Sequence, residues 1–304
     1  MKGQLSLFQD SPPPTDKPLK FKPAERPIWT ENKAKLIERY MFYFVLITKH
    51  GAYIDGFAGP QYLDKENAWA AKLVLESKPA LLRKFWLCEL DPASVSRLND
   101  LVASQPKVHG RSIEVIPGDF NRNVDKLLKG SNIADKTATF CLLDQRTFEC
   151  EWQTMVTLSQ HRRDYKIELF YFLATGWIDR SIKALRDRQI LQRWWGRDDF
   201  ETLQGMNSFD RRQLFCQRMK DELGYKHVYA YPIYSRENGG RILYHMIHAS
   251  DHDEAPKIMN RAYRNALNNR EELKRLQRDL SALWGNTGMG EKPKSLVMKA
   301  LKGK

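Results

Sequence analysis

Seven short runs of β-branched and aromatic residues recur along this chain at intervals that leave room for a helix between most of them. They are Ala52-Tyr53-Ile54, Phe85–Cys88, Ile113–Ile116, Thr137–Leu143, Ile167–Leu173, His227–Tyr234 and Ile242–His248. Helical patterns such as Pro92–Ala103 and Asn121–Leu128 fill the early gaps. Strands alternating with helices at this spacing predict βαβ units and a parallel sheet. The last two runs are joined by only Ser235-Arg236-Glu237-Asn238-Gly239-Gly240, which fits an antiparallel hairpin. The spacing predicts an α/β fold: a doubly wound, mostly parallel, seven-stranded sheet with an antiparallel terminal hairpin.

Ile178–Gly224 is too long for one crossover helix and reads as a helical insert carrying Trp194, Trp195 and many arginines. Ahead of the sheet, Leu36, Ile37, Tyr40, Met41, Phe44 and Val45 recur at helical spacing. Thr30 is the expected cap of that helix, and Lys49-His50-Gly51 its stop. The expected organisation is a disordered tail over 1–27, a domain over 28–264 with its insert at about 178–224, and a basic extension over 265–304. The tail holds six prolines and little periodicity.

A hydrophobic share of 42% supports a sizeable core. The longest apolar run, near Met41–Ile47, is far short of the ~20 residues of a membrane span, and no secretory pattern is visible. The cysteines Cys88, Cys141, Cys150 and Cys216 lack metal-ligand spacing, so buried thiols in a reduced, cytoplasmic protein are expected, with no metal site. The net charge of +13 is uneven: Arg264–Lys304 holds ten Lys/Arg against four Asp/Glu. Such a balance points to a polyanionic partner, nucleic acid first and DNA preferred.

The chemistry centres on Tyr53-Ile54-Asp55-Gly56-Phe57-Ala58-Gly59-Pro60. Ligands of open parallel sheets bind beyond the carboxyl ends of the strands. Glycines in the first strand-to-helix turn let backbone approach a ligand closely. Asp55 ends the first strand, Glu89 the second and Asp119 the third. Glu89 is placed to accept ribose hydroxyls and Asp119 an adenine amino group. Three acids at successive strand ends predict a bound nucleoside.

This series resembles class I S-adenosylmethionine-dependent methyltransferases. The resemblance implies that the turn with Asp55, Gly56, Phe57 and Gly59 holds the methionine part of S-adenosylmethionine. It likewise implies that Glu89 holds the ribose, that Asp119 reads the adenine, and that the last strand runs antiparallel. A closer resemblance covers about Trp29–Arg264: "YIDGFAGP", "CELDP", the "LLD…EW" segment, "ATG" and "HASDHDEAPKIM" are similar to the three-Cys-motif partner (TcmP) family. That family implies a partner protein with three cysteines encoded nearby. The chain departs from it at Gln61, where glycine is common, and at Leu143-Asp144-Gln145-Arg146-Thr147-Phe148, where the family tends to keep Asp-Pro-Phe-Gly.

Asp144 is the expected catalytic acceptor, and Phe148 a residue that could stack a flipped base; the alternative for Phe148 is a core position. Thr175-Gly176 end the fifth strand facing the same crevice, and Trp194-Trp195 read as a stacking platform or a buried anchor. His245 and His248 fall on opposite faces of one strand, against a shared metal. Two functions stand: a methyltransferase acting on DNA in repair or modification, or a non-catalytic nucleic-acid-associated adaptor. The tail adds Gln4-Leu5-Ser6-Leu7-Phe8, which resembles the peptide by which bacterial repair and replication proteins dock on the sliding clamp. The resemblance implies that Leu5, Leu7 and Phe8 enter an apolar groove while Gln4 bonds at its rim.

Overall fold

The computed structural model describes residues 29–266 apart from 63, 132, 134–136, 185–186 and 235–241. The Gln4–Phe8 motif, the link between the last two strands and the basic extension after 266 lie outside the described residues.

Seven strands form one sheet in the order β3-β2-β1-β4-β5-β7-β6. They are β1 (Gly51–Asp55), β2 (Leu82–Glu89), β3 (Ser112–Pro117), β4 (Thr139–Leu143), β5 (Glu168–Leu173), β6 (His227–Tyr234) and β7 (Ile242–Ser250). The first five pair in parallel, and β7 runs antiparallel to both β5 and β6. The expected mostly parallel sheet with an antiparallel hairpin is present.

The central strands β1, β4 and β5 are buried at every position. That is why they read as continuous apolar runs instead of alternating ones. Their side chains divide with period two. Tyr53, Phe140, Leu142, Phe170 and Phe172 join one core cluster, while Ile54, Cys141, Leu143, Leu169 and Tyr171 join the other. Helices α1 (Trp29–Thr48), α2 (Ala70–Glu76), α3 (Pro92–Ala103) and α9 (Ala255–Ala266) supply the first cluster. Helices α4 (Phe120–Gly130), α5 (Trp152–Gln160), α6 (Ile178–Ala184), α7 (Arg188–Trp195) and α8 (Ser208–Asp221) supply the second.

Trp29 is already helical in α1, so Thr30 lies inside the helix and is not its cap. Its stop also differs from expectation. Lys49 takes the left-handed conformation at φ 63° and donates its N–H to the Val45 carbonyl at 2.8 Å. Gly51 instead opens β1, where a Cβ would come within 2.8 Å of Phe44.

The two tryptophans of α7 are anchors and not a surface platform. Trp194 and Trp195 are 1% and 2% exposed. Trp194 donates to the Tyr171 hydroxyl at 2.7 Å, and Trp195 to Asp199 Oδ1 at 2.6 Å. The Arg218 guanidinium lies 4.0 Å from the rings of both Trp152 and Trp195. The β7 histidines serve separate contacts: His245 Nδ1 meets Thr175 Oγ1 at 3.1 Å, and His248 Nε2 lies 2.9 Å from Glu168. All four cysteines are free, Cys216 only half-buried. Among the described residues no cluster of His, Cys, Asp and Glu could hold a metal, and no helix is long and apolar enough to cross a membrane.

Trp194→Ala should lower unfolding free energy by about 3–5 kcal/mol, the cost of emptying a packed aromatic site. Trp177→Ala, at a partly exposed position, should change it by about 0.5 kcal/mol or less. Urea unfolding of the two variants checks the contrast.

Candidate functional site

The strand order reverses between β1 and β4, and ligand crevices of open parallel sheets form at that switch point. Asp55 and Asp144 stand on either side of it. In register Asp55 lies beside Leu142, two residues before Asp144. The Gly56 N–H donates to the Leu142 carbonyl at 3.0 Å, closing the turn over β4.

The glycine turn is fixed from below by β2. Gly59 N–H donates to Glu89 Oε2 at 2.7 Å, and Ala58 N–H to the Cys88 carbonyl at 2.8 Å. The other Glu89 oxygen accepts the Asp91 N–H at 2.9 Å. Neither glycine has room for a side chain. A Cβ on Gly59 would sit 2.2 Å from Glu89 Oε2, and one on Gly56 would sit 2.7 Å from the Phe120 ring. These two glycines are needed for close approach, since neither has a positive φ.

Asp55 is fully buried and accepts from the Tyr53 hydroxyl at 2.9 Å and the Phe57 N–H at 3.2 Å. Burial pushes its carboxyl up to about 7, against the pull of those two hydrogen bonds, and the charges of Asp144 and Glu89 add to the rise. The acids at the strand ends therefore sense one another across a common crevice.

Asp119 caps α4: its Oδ1 accepts both the backbone and side-chain N–H of Asn121 at 2.9 Å. Its Oδ2 has only a distant Arg122 at 3.8 Å. A role toward adenine is thus confined to one oxygen.

Asp144 is not a free carboxylate. Lys33, reaching from α1, holds Oδ1 at 2.6 Å, and both side chains are buried. The ammonium lies 5.2 Å from the Phe172 ring and 5.7 Å from the Tyr244 ring, so aromatic faces cover its remaining side. Gln61 Nε2 makes a long 3.4 Å contact to Oδ2. Burial raises the Asp144 carboxyl above the usual range even though Lys33 pulls the other way. Gln145 is buried and spans the loop, donating to the Phe172 carbonyl at 3.1 Å and accepting the Cys150 N–H. Phe148 is packed inward, 5% exposed, with its ring edge-on to Trp194 at 4.8 Å. The expectation of Phe148 as a stacking surface is corrected here: its face belongs to the core.

The sequence reading brought Asp55, Gly56, Gly59, Glu89 and Asp144 to one end of the sheet, and the chain places them there. It missed Lys33, which lies 111 residues from its partner. It also missed Gln61, whose place in the departure from the glycine pattern was the available signal. Leu90, 69% exposed immediately after Glu89, escaped too.

No family model matches this chain, and no curated protein sequence matches it. Solved structures do resemble it. A candidate methyltransferase from Thermobifida fusca is 14% identical, covers 73% of this chain and 81% of its own, and gives a TM-score of 0.41. A Legionella pneumophila protein is 10% identical over 77% of this chain and 92% of its own, with a TM-score of 0.43. Trm1 from Pyrococcus horikoshii, in complex with S-adenosyl-L-methionine, is 11% identical over 79% of this chain and 61% of its own, with a TM-score of 0.39.

Lys33→Ala would leave Asp144 buried without its cation, and should cost about 3–5 kcal/mol of stability. Lys33→Met combined with Asp144→Leu should recover most of that loss, which chemical denaturation of the three proteins would measure. Asp55 gives a pH signature of its own. The unfolded chain releases this proton near pH 4 while the folded chain keeps it to about 7. Its contribution is therefore complete below about pH 4 and is lost as the pH rises toward 7. In Asp55→Asn the fall in denaturation midpoint between about pH 5 and pH 7.5 should flatten.

Proposed function

We propose that this chain is an S-adenosylmethionine-binding, methyltransferase-like protein that acts on or with DNA. The observation that carries the reading is the glycine turn seated on Glu89. Gly59 N–H lies 2.7 Å from the carboxylate, and there is no space for a Cβ at Gly56 or Gly59. Backbone N–H groups and the carboxylates of Asp55, Glu89 and Asp119 thus gather at the carboxyl ends of β1, β2 and β3, in a chain whose net charge is +13. A local cluster of carboxylates in a basic protein suits a ligand that is itself cationic, and S-adenosylmethionine carries a sulfonium and an ammonium.

The residues divide the ligand between them. The turn of Asp55, Gly56, Phe57 and Gly59 would hold the methionine part. Glu89 keeps lone pairs for ribose hydroxyls after its two backbone contacts. Exposed Leu90 would lie on a face of the adenine, and Asp119 Oδ2 would take its amino group. The bound cofactor would supply an electrophilic methyl group. Toward it Asp144 offers Oδ2, since Lys33 occupies Oδ1, and the role left to the protein is proximity and orientation of the acceptor.

A second reading, a non-catalytic adaptor, draws on Gln145. That residue is consumed in holding the loop, so the segment lacks the usual means of gripping a target nitrogen. The Gln4–Phe8 tail and a three-cysteine partner complete the proposal in either case. The free peptide of residues 1–14 should bind the bacterial clamp, and Leu7→Ala with Phe8→Ala should abolish that binding.

Calorimetry with S-adenosylmethionine and its demethylated product should show binding of both, lost in Gly59→Ala. Absence of either at millimolar concentration would refute the ligand. Because a cation beside Asp55 favours its ionised form, binding should release a proton near neutral pH and tighten as the pH rises from about 6 to 8. Asp55→Asn should abolish that dependence. Labelled methyl transfer to DNA, RNA or protein, lost in Asp144→Ala, would decide for the enzyme. Binding without transfer would decide for the adaptor.

A further inference from the structure

Beside the Lys33–Asp144 pair, where Gln61 and Tyr62 follow the glycine turn, lies a half-open cavity of about 270 Å³. Lys33, Gln61 and Gln145 form its polar floor, and Tyr62, Phe172, Trp177 and Tyr244 its aromatic walls. Its volume falls just below the ~300–1,000 Å³ of sites for drug-sized ligands, so it suits one small planar group better than a peptide segment.

The rim has its own composition. Five large apolar side chains are exposed among the described residues: Ile47, Leu90, Tyr165, Trp177 and Phe209. Three of them, Leu90, Trp177 and Phe209, sit at the carboxyl end of the sheet. Trp177 follows β5 and is 37% exposed; Phe209 opens α8 and is 48% exposed. Arg211 ties these two elements together by donating to the Thr175 carbonyl at 3.1 Å and pairing with Asp179. The Arg212 guanidinium lies 4.4 Å from the Phe209 ring, which makes that aromatic also a cationic site. Exposed Arg146 stands at the cavity mouth, with Arg180 and Lys183 exposed on α6. Lys65 covers the Tyr62 ring at 4.7 Å, although Asp64 and Glu66 flank it and offset its charge.

Aromatic faces alternating with cations around a pocket for one planar group form the recognition chemistry of single-stranded nucleic acid. Bases stack on the rings while phosphates follow the cations. We propose that this rim is a single-strand binding track in which Phe209–Arg212 and Trp177 stack successive bases and Arg146 meets a phosphate. It would deliver one unpaired base to the cavity lined by Lys33, Gln61 and Gln145. The inference deepens the reading of the chain as acting on nucleic acid, but it does not depend on the cofactor.

The test uses the full-length protein without cofactor and a fluorescein-labelled 12-mer, as single-stranded DNA and as its duplex, followed by anisotropy across a salt series. Single strand should bind more tightly than duplex. Trp177→Ala and Phe209→Ala should each weaken it by about tenfold, the size of one lost stacked base, and Trp177→Phe should restore most of the affinity. Arg146→Ala should lower the slope of log affinity against log salt by about one contact. The partly exposed positions of these side chains leave the fold intact, which a thermal melt verifies. Equal affinity for duplex, or unchanged affinity in both aromatic variants, overturns the track. Failure of S-adenosylmethionine to bind would overturn the cofactor reading and leave this result untouched.

Discussion

Three parallel strands buried on both faces set the terms for the rest of this molecule. With β1, β4 and β5 sealed between two helical layers, a carboxylate within the sheet needs partners of its own, as Glu168 in β5 has in Tyr40, Ser250 and His248. The carboxyl ends of the strands are where acids can be placed and still meet backbone N–H groups. The strand order reverses between β1 and β4, so the turns there diverge and open a crevice. Architecture and site are one consequence of the same burial.

Within that crevice two devices keep acids at close quarters. Glu89 is answered by two backbone N–H groups, which also lock the glycine turn to β2. Asp144 is answered by a lysine from the first helix, so the outermost segment of the described fold reaches the centre of the site. Asp55 meets a hydroxyl and one N–H, yet burial, helped by the charges of Asp144 and Glu89, pushes its carboxyl up. A cationic ligand would relieve that strain directly.

The neighbouring cavity has the opposite character. Its walls are aromatic, Arg146 lines it, and Lys33, which pairs with Asp144, lines it together with Gln61 and Gln145. Arg146, Arg180 and Lys183 are exposed near this cavity, while Asp55 and the Lys33–Asp144 pair are buried. The two halves meet at Asp144 and Gln61.

The amino-acid sequence by itself determined the seven strands, the antiparallel hairpin and the acids at Asp55, Glu89 and Asp119. These follow from local patterning: burial imposes apolar runs, turns impose glycines, and strand ends follow from both. Asn121 shows the limit of that patterning. It claims Asp119 Oδ1 for a helix cap, and a pattern cannot tell a capping acid from a binding one. Only the tertiary structure decided the rest. Phe148 and the Trp194-Trp195 pair are aromatic next to polar residues, and either face could have been theirs until Tyr171 and Phe215 packed against the indoles. Lys33 shows no sign of its role in the sequence, because a contact across 111 residues leaves no trace in local spacing. Which acids are free, which are clamped and which aromatics reach solvent are properties of packing between distant segments, and no period in the sequence encodes them.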